Sequence, residues 1–206
     1  LSFRDYVNTV NQIEITNRYY KSKIYWNERV KNLPQAPILP LQVDPSTVRS
    51  PHFVRRREVI KSEEWRKIKE RATKYRISET VVLITAFSEI LALWSRERRF
   101  TLNLTLFNRL PVHEQVNDIM GDFTTLTLLE IENDASCTLI DRMRRNQQQL
   151  LKDMDYRYYN GIRVTRDLMG KYKDYTKAIM PIIFTSILNQ KSSSWGENEH
   201  FINSVE

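Results

Sequence analysis

Glycine is scarce in this chain, with four in 206 residues. Neither GxGxxG nor GxxxxGKS/T occurs, which excludes a loop that cradles phosphate groups by close backbone approach. A single cysteine, Cys137, rules out an internal disulfide framework and a cysteine-cluster metal site. A cytoplasmic setting is the simplest expectation from that cysteine usage. No apolar run approaches the roughly 18 residues of a membrane-spanning helix, and the first residues lack the charged-then-apolar pattern of a secretory leader. No membrane partner is therefore expected. His52, His113 and His200 lack ligand spacing to acids, so no metal is expected either.

Positive charge is plentiful, and the net charge is +7. It concentrates in Arg55-Arg56-Arg57, along Arg66 to Arg76, and in Arg96, Arg98 and Arg99. Glu58, Glu63, Glu64, Glu70 and Glu79 are interleaved with these cations, the pattern of solvated helix faces. An acidic protein partner is the next reading. No nucleic-acid partner is expected.

Residues 3–32 carry a broken apolar stripe (Tyr6, Val10, Ile13, Tyr20, Ile24, Tyr25, Val30) and predict one long helix, with Ser2 as its N-cap. Five prolines between Leu33 and Pro51 predict an extended connector, because proline fixes φ and removes a donor. His52 to Ile60 reads as a strand. Ser62 to Tyr75 reads as an amphipathic helix with Glu63 and Glu64 in its first turn, where the helix dipole favours acids. Ser78 to Trp94 is apolar on most sides and predicts a buried helix. Strands are expected at 100–108 and 123–132, helices at 137–154 and 162–172, and a last strand at 180–188. The tail from Asn189 is polar and Ser-rich.

The most informative stretch is Asn103-Leu-Thr-Leu-Phe-Asn-Arg109, followed by Gly121-Asp-Phe-Thr124. Thr101, Asn103 and Thr105 alternate with Leu102, Leu104 and Leu106, the period of a half-buried strand. Thr and Asn in place of Lys and Glu suggest a polar face turned toward a channel that needs neutral donors and acceptors.

Six ordered stretches resemble the heterocyclization domain of nonribosomal peptide synthetases, a specialised member of the condensation-domain superfamily. Leu33 to Leu41 resembles its LPxxPxLPL connector, and Ala86 to Trp94 its AF…LxxW helix. Asn103 to Arg109 matches NLTLFNR, and Gly121 to Leu129 matches GDFTxLxLL. Asp153 to Arg157 with Gly161 to Leu168 resembles DLDHR…SGVxVxREL, and Pro181 to Ser186 resembles PVVFTS. The family's DxxxxD motif is absent, as are HHxxxDG and the QTPQVWLD stretch. The expectation is a fragment lacking the N-terminal DxxxxD part and the C-terminal end, inactive when isolated.

The resemblance implies an α/β fold like chloramphenicol acetyltransferase, a mixed sheet with flanking helices, mostly the C-terminal lobe of a V-shaped pair. It implies residues 1–32 as the end of the N-terminal lobe, 33–51 as the connector and 52–206 as an incomplete C-terminal lobe. The implied reaction condenses a carrier-bound acyl or peptidyl thioester with Cys, Ser or Thr. Cyclodehydration to a thiazoline or oxazoline follows. Implied partners are donor and acceptor peptidyl carrier domains and an adjacent adenylation domain. No cofactor is bound directly, because phosphopantetheine arms deliver the substrates. An ordinary or degenerate condensation domain, or a basic interaction module without chemistry, are the alternatives.

Thr185 is the first catalytic candidate, by resemblance to the Thr of FTS; a Thr satisfied on a buried strand is the alternative. Asn103 is the second, since its amide offers donors and an acceptor together; a structural bond between strands is as good a reading. Thr105, Asp122 and Ser186 are substrate-channel candidates. Asp122 suits an acid with a raised pKa, or a turn residue bonded to its own backbone, which is favoured. Arg109 is expected to pair with Asp122, and His113 to lie on the surface. Tyr156, Tyr158 and Tyr159 fit a channel wall or packing between helices equally.

Overall fold

A computed structural model describes residues 1–172 and 178–188. The helices are α1 (Phe3–Ile13), α2 (Asn17–Asn32), α3 (Ser62–Lys74), α4 (Glu79–Trp94), α5 (Leu139–Asp155) and α6 (Gly161–Tyr172). The strands are β1 (Arg99–Phe107), β2 (Thr124–Glu132) and β3 (Ile183–Thr185), in the order β2-β1-β3. The sheet is mixed: β2 pairs with β1 antiparallel and β3 pairs with it parallel. Among the described residues no single helix is long and apolar enough to cross a membrane.

Strand alternation divides the core in two. Phe100, Leu102 and Leu104 of β1, with Leu129 and Ile131 of β2, pack against Ile84 and Leu91 of α4. On the other face Leu128, the partner of Asn103, packs with Trp26 and Val30 of α2 and with Val164 and Leu168 of α6. A helix–sheet–helix sandwich results, which is the expected α/β architecture. A third cluster joins Tyr6 of α1 to Val116, Ile119 and Phe123 around the β1–β2 loop.

Gly161 opens α6 where that helix meets β2. A Cβ there would lie 2.2 Å from the Leu126 carbonyl oxygen, so only hydrogen fits. Ser2 forms the expected N-cap, completed as a capping box by Asp5.

Four expectations need correction. Residues 3–32 form two helices, broken at Glu14–Thr16, because their apolar faces serve different bodies. Tyr6 of α1 faces the β1–β2 loop, whereas Trp26 and Val30 of α2 face α6. His52 to Ile60 forms no strand: Arg55-Arg56-Arg57 interrupts its apolar pattern, and Phe53, Val54, Val59 and Ile60 are all exposed. α4 is buried along one side only, and Ile90, Leu93 and Trp94 are exposed. β3 is three residues long and pairs with β1 only at Asn103 to Thr105; before that point the Thr101 N–H on the same edge is taken by Gln35 O. The tail from Asn189 lies outside the described residues.

Candidate functional site

The polar face of β1 serves three ends in succession. Thr101 is fully buried; its backbone N–H donates to Gln35 O at 2.9 Å and its hydroxyl to Pro34 O at 2.6 Å. The proline-rich segment thus covers the first part of the strand edge that β3 occupies further along. Asn103 is also buried. Its N–H donates to Ile182 O at 3.1 Å and its side-chain Nδ2 to Met180 O at 3.4 Å, so it clamps the approach to β3. Its Oδ1 is buried without a partner among the described residues. The expected channel face is therefore not continuous, because Thr101 and Asn103 are consumed by holding chain segments to the sheet.

Thr105 and Thr185 meet. They are register partners of the parallel pair, and Thr185 Oγ1 donates to Thr105 Oγ1 at 2.9 Å. Thr105 is half-buried and Thr185 exposed, so this hydroxyl pair is accessible. Each hydroxyl carries one proton. When Thr185 donates to Thr105, the Thr105 proton stays available for an outside acceptor. Asn103 lies two residues from Thr105 on the same strand face, the spacing that brings side chains to one side of a sheet. Ser186 is not part of the pair; its Oγ is buried and has no partner among the described residues.

Asp122 stands apart. It is exposed, and its Oδ1 accepts the Thr124 N–H at 2.8 Å, which holds the carboxyl below the usual carboxylate range. A raised pKa there is thus overturned and the turn role is observed. The expected Arg109–Asp122 ion pair is not formed. Arg109 stacks over Phe123 at 3.9 Å from the ring centre and donates to Val116 O and Ile119 O at 2.6 and 3.0 Å. His113 is exposed, and its Nδ1 accepts from Gln115 N. Of the three tyrosines, Tyr156 stacks on Tyr25 at 4.1 Å and Tyr159 donates to Asp167 at 2.7 Å, both as packing. Tyr158 lines a cleft of about 480 Å³ with Thr9, Thr16 and Leu110.

One ionisable group escaped the sequence reading. Asp153 of α5 is buried, accepts from Tyr25 OH at 2.6 Å and from Gln149 Nε2 at 2.9 Å, and lies 3.5 Å from Arg29 Nε. Burial outweighs the Arg29 charge and these hydrogen bonds and pushes its pKa up to about 6. Its motif was legible, but its burial depends on α2 folding over α5.

The condensation-domain family model matches residues 1–204. Bacitracin synthase 1 of Bacillus licheniformis is 39% identical over 92% of this chain, which spans 4% of that protein. Pyochelin synthetase PchF of Pseudomonas aeruginosa is 31% identical over 96% of this chain, which spans 11% of it. Among solved structures, the EpoB nonribosomal peptide synthetase cyclization-docking bidomain from Sorangium cellulosum superposes with a TM-score of 0.84. It is 40% identical over 92% of this chain and 38% of its own. With a mixed sheet between helix layers, and with matches across nearly its whole length, this chain belongs to the condensation-domain family of nonribosomal peptide synthetases.

Proposed function

We propose that this chain is part of a heterocyclization domain acting in the cytoplasm. In this reading residues 1–32 end the N-terminal lobe, 33–51 connect, and 52–206 belong to the C-terminal lobe. The observation that carries it is the 40% identity to a cyclization domain with a TM-score of 0.84.

The amine of a carrier-held Cys, Ser or Thr attacks the thioester of a second carrier domain. The new C–N bond forms as C–S breaks, and the departing thiol takes the proton. The side-chain thiol or hydroxyl then attacks the amide carbonyl and its proton passes to the carbonyl oxygen. That oxygen takes a second proton and leaves as water while nitrogen gives up its proton and C=N forms. This second step needs a proton delivered to oxygen and removed from nitrogen. The Thr105–Thr185 pair supplies a neutral donor and acceptor at one place. Asn103 is a positioning residue in this scheme, since it anchors the lead into β3. Asp122, exposed in its turn, and Ser186, whose Oγ is buried and has no partner among the described residues, are assigned no step. Phosphopantetheine arms of donor and acceptor carrier domains bring the substrates, an adjacent adenylation domain loads them, and no soluble cofactor takes part.

The test is the complete synthetase with loaded carrier domains, its products analysed by mass spectrometry. A product one water lighter than the linear amide is expected. Linear amide as the sole product refutes the reading.

A further inference from the structure

A groove away from the threonine pair opens between α3, α4 and the start of α5, with a volume of about 620 Å³. Ile68 and Tyr75 form one wall, Val82 the second, and Leu139 and Met143 the third. No acidic side chain lines it, while Arg71 and Lys74 do. On the same helix Arg66 pairs with Glu70 at 2.8 Å and Lys67 with Glu63 at 2.9 Å. Arg71 and Lys74 have no ion pair among the described residues.

The turn that closes one end of the groove is held by hydrogen bonds. After α3, Ile77 N donates to Ala72 O at 2.9 Å and Arg76 N to Thr73 O at 3.0 Å, closing the helix end. Gln147 of α5 grips this turn on both sides: its Nε2 donates to Arg76 O at 2.8 Å and its Oε1 accepts from Ser78 N at 2.7 Å. Arg76 has φ 57°, a left-handed conformation that favours glycine. An arginine there adds a third cation without an ion pair among the described residues, between the lining residues Tyr75 and Ile77.

We propose that this groove docks an acidic amphipathic helix of another polypeptide segment. The helix seats its apolar side chains between α3, α4 and α5 and sets its carboxylates against Arg71, Lys74 and Arg76. Apolar anchors at helical spacing are how helices fill such grooves, and complementary charge selects the partner. A second copy of this chain, at net charge +7, meets the basic rim with like charge. A nucleic acid satisfies the cations but leaves the apolar walls unfilled. The inference is independent of the ring-forming reading.

Titrating the full chain with two synthetic helical peptides tests it. One peptide carries leucines on one face and glutamates on the other; its counterpart has lysines for the glutamates. The glutamate peptide is expected to bind saturably, to shift the amide resonances of Tyr75 and Met143, and to weaken as salt rises. The surface variant Arg71→Glu/Lys74→Glu, with its fold checked by circular dichroism, is expected to bind it at least about tenfold more weakly. The proposal is overturned by equal binding of both peptides, by binding of neither, or by unchanged affinity in the variant. Displacement of the glutamate peptide by an equimolar DNA duplex overturns it as well.

Discussion

Thr185 and Thr105 share a hydrogen bond of 2.9 Å between adjacent parallel strands, and no charged group takes part in it. If this pair relays the proton of ring closure, Thr185→Val in the complete synthetase lowers ring formation roughly 10²-fold, the usual scale of one lost proton-transfer group. Linear amide formation persists, and Thr185→Ser restores much of the loss. The ratio of cyclised to linear product measures this, and an unchanged ratio removes the pair from the chemistry.

Asp153 makes stability depend on pH in one window. Its folded pKa, about 6, lies above the ordinary 3.8, so between those values the folded chain binds more protons than the unfolded one. Its contribution therefore declines as pH rises from about 4 to 6, by about 3 kcal/mol in all, and is constant above. Asp5, Asp122, Asp134 and Asp141, held low by hydrogen bonds to Ser2, Thr124, Ser136 and Thr138, act oppositely and lose stability as pH falls below about 4. Asp153→Asn keeps the Tyr25 acceptor and flattens the decline between pH 4 and 6. Melting temperatures of both proteins across that range decide it.

Gly161→Ala should destabilise the fold by about 1–3 kcal/mol, because the new methyl meets backbone that cannot swing aside. Gly121→Ala should cost less: the three atoms nearest its methyl all belong to the Phe3 side chain, not to backbone. Urea unfolding midpoints of the two variants rank them.

Arg76→Gly should raise stability by about 0.5–1 kcal/mol, since glycine adopts the left-handed conformation without strain. The same variant weakens the acidic peptide at the α3–α4–α5 groove. Chemical denaturation and peptide titration on one preparation report both effects.

Where periodicity was strong, the residues alone were enough to place the helices and strands. α3, α4, α5 and α6 and the long strands β1 and β2 fall within about two residues of their expected limits. Ordered motifs also determined the family, because six stretches in sequence order carry far more information than any one residue. Whatever depends on a distant partner became visible only in the folded chain. Whether residues 3–32 run straight, whether 52–60 joins a ladder and how long β3 extends are set by what packs alongside, not by local preference. The same holds for the site. Alternation put Asn103 and Thr105 on one face, but only the parallel register of β3 made Thr105 the neighbour of Thr185 and turned Asn103 inward. Asp153 is legible in the sequence only as the first residue of a matched stretch, and it becomes a titrating group near neutrality only because α2 closes over it and excludes water.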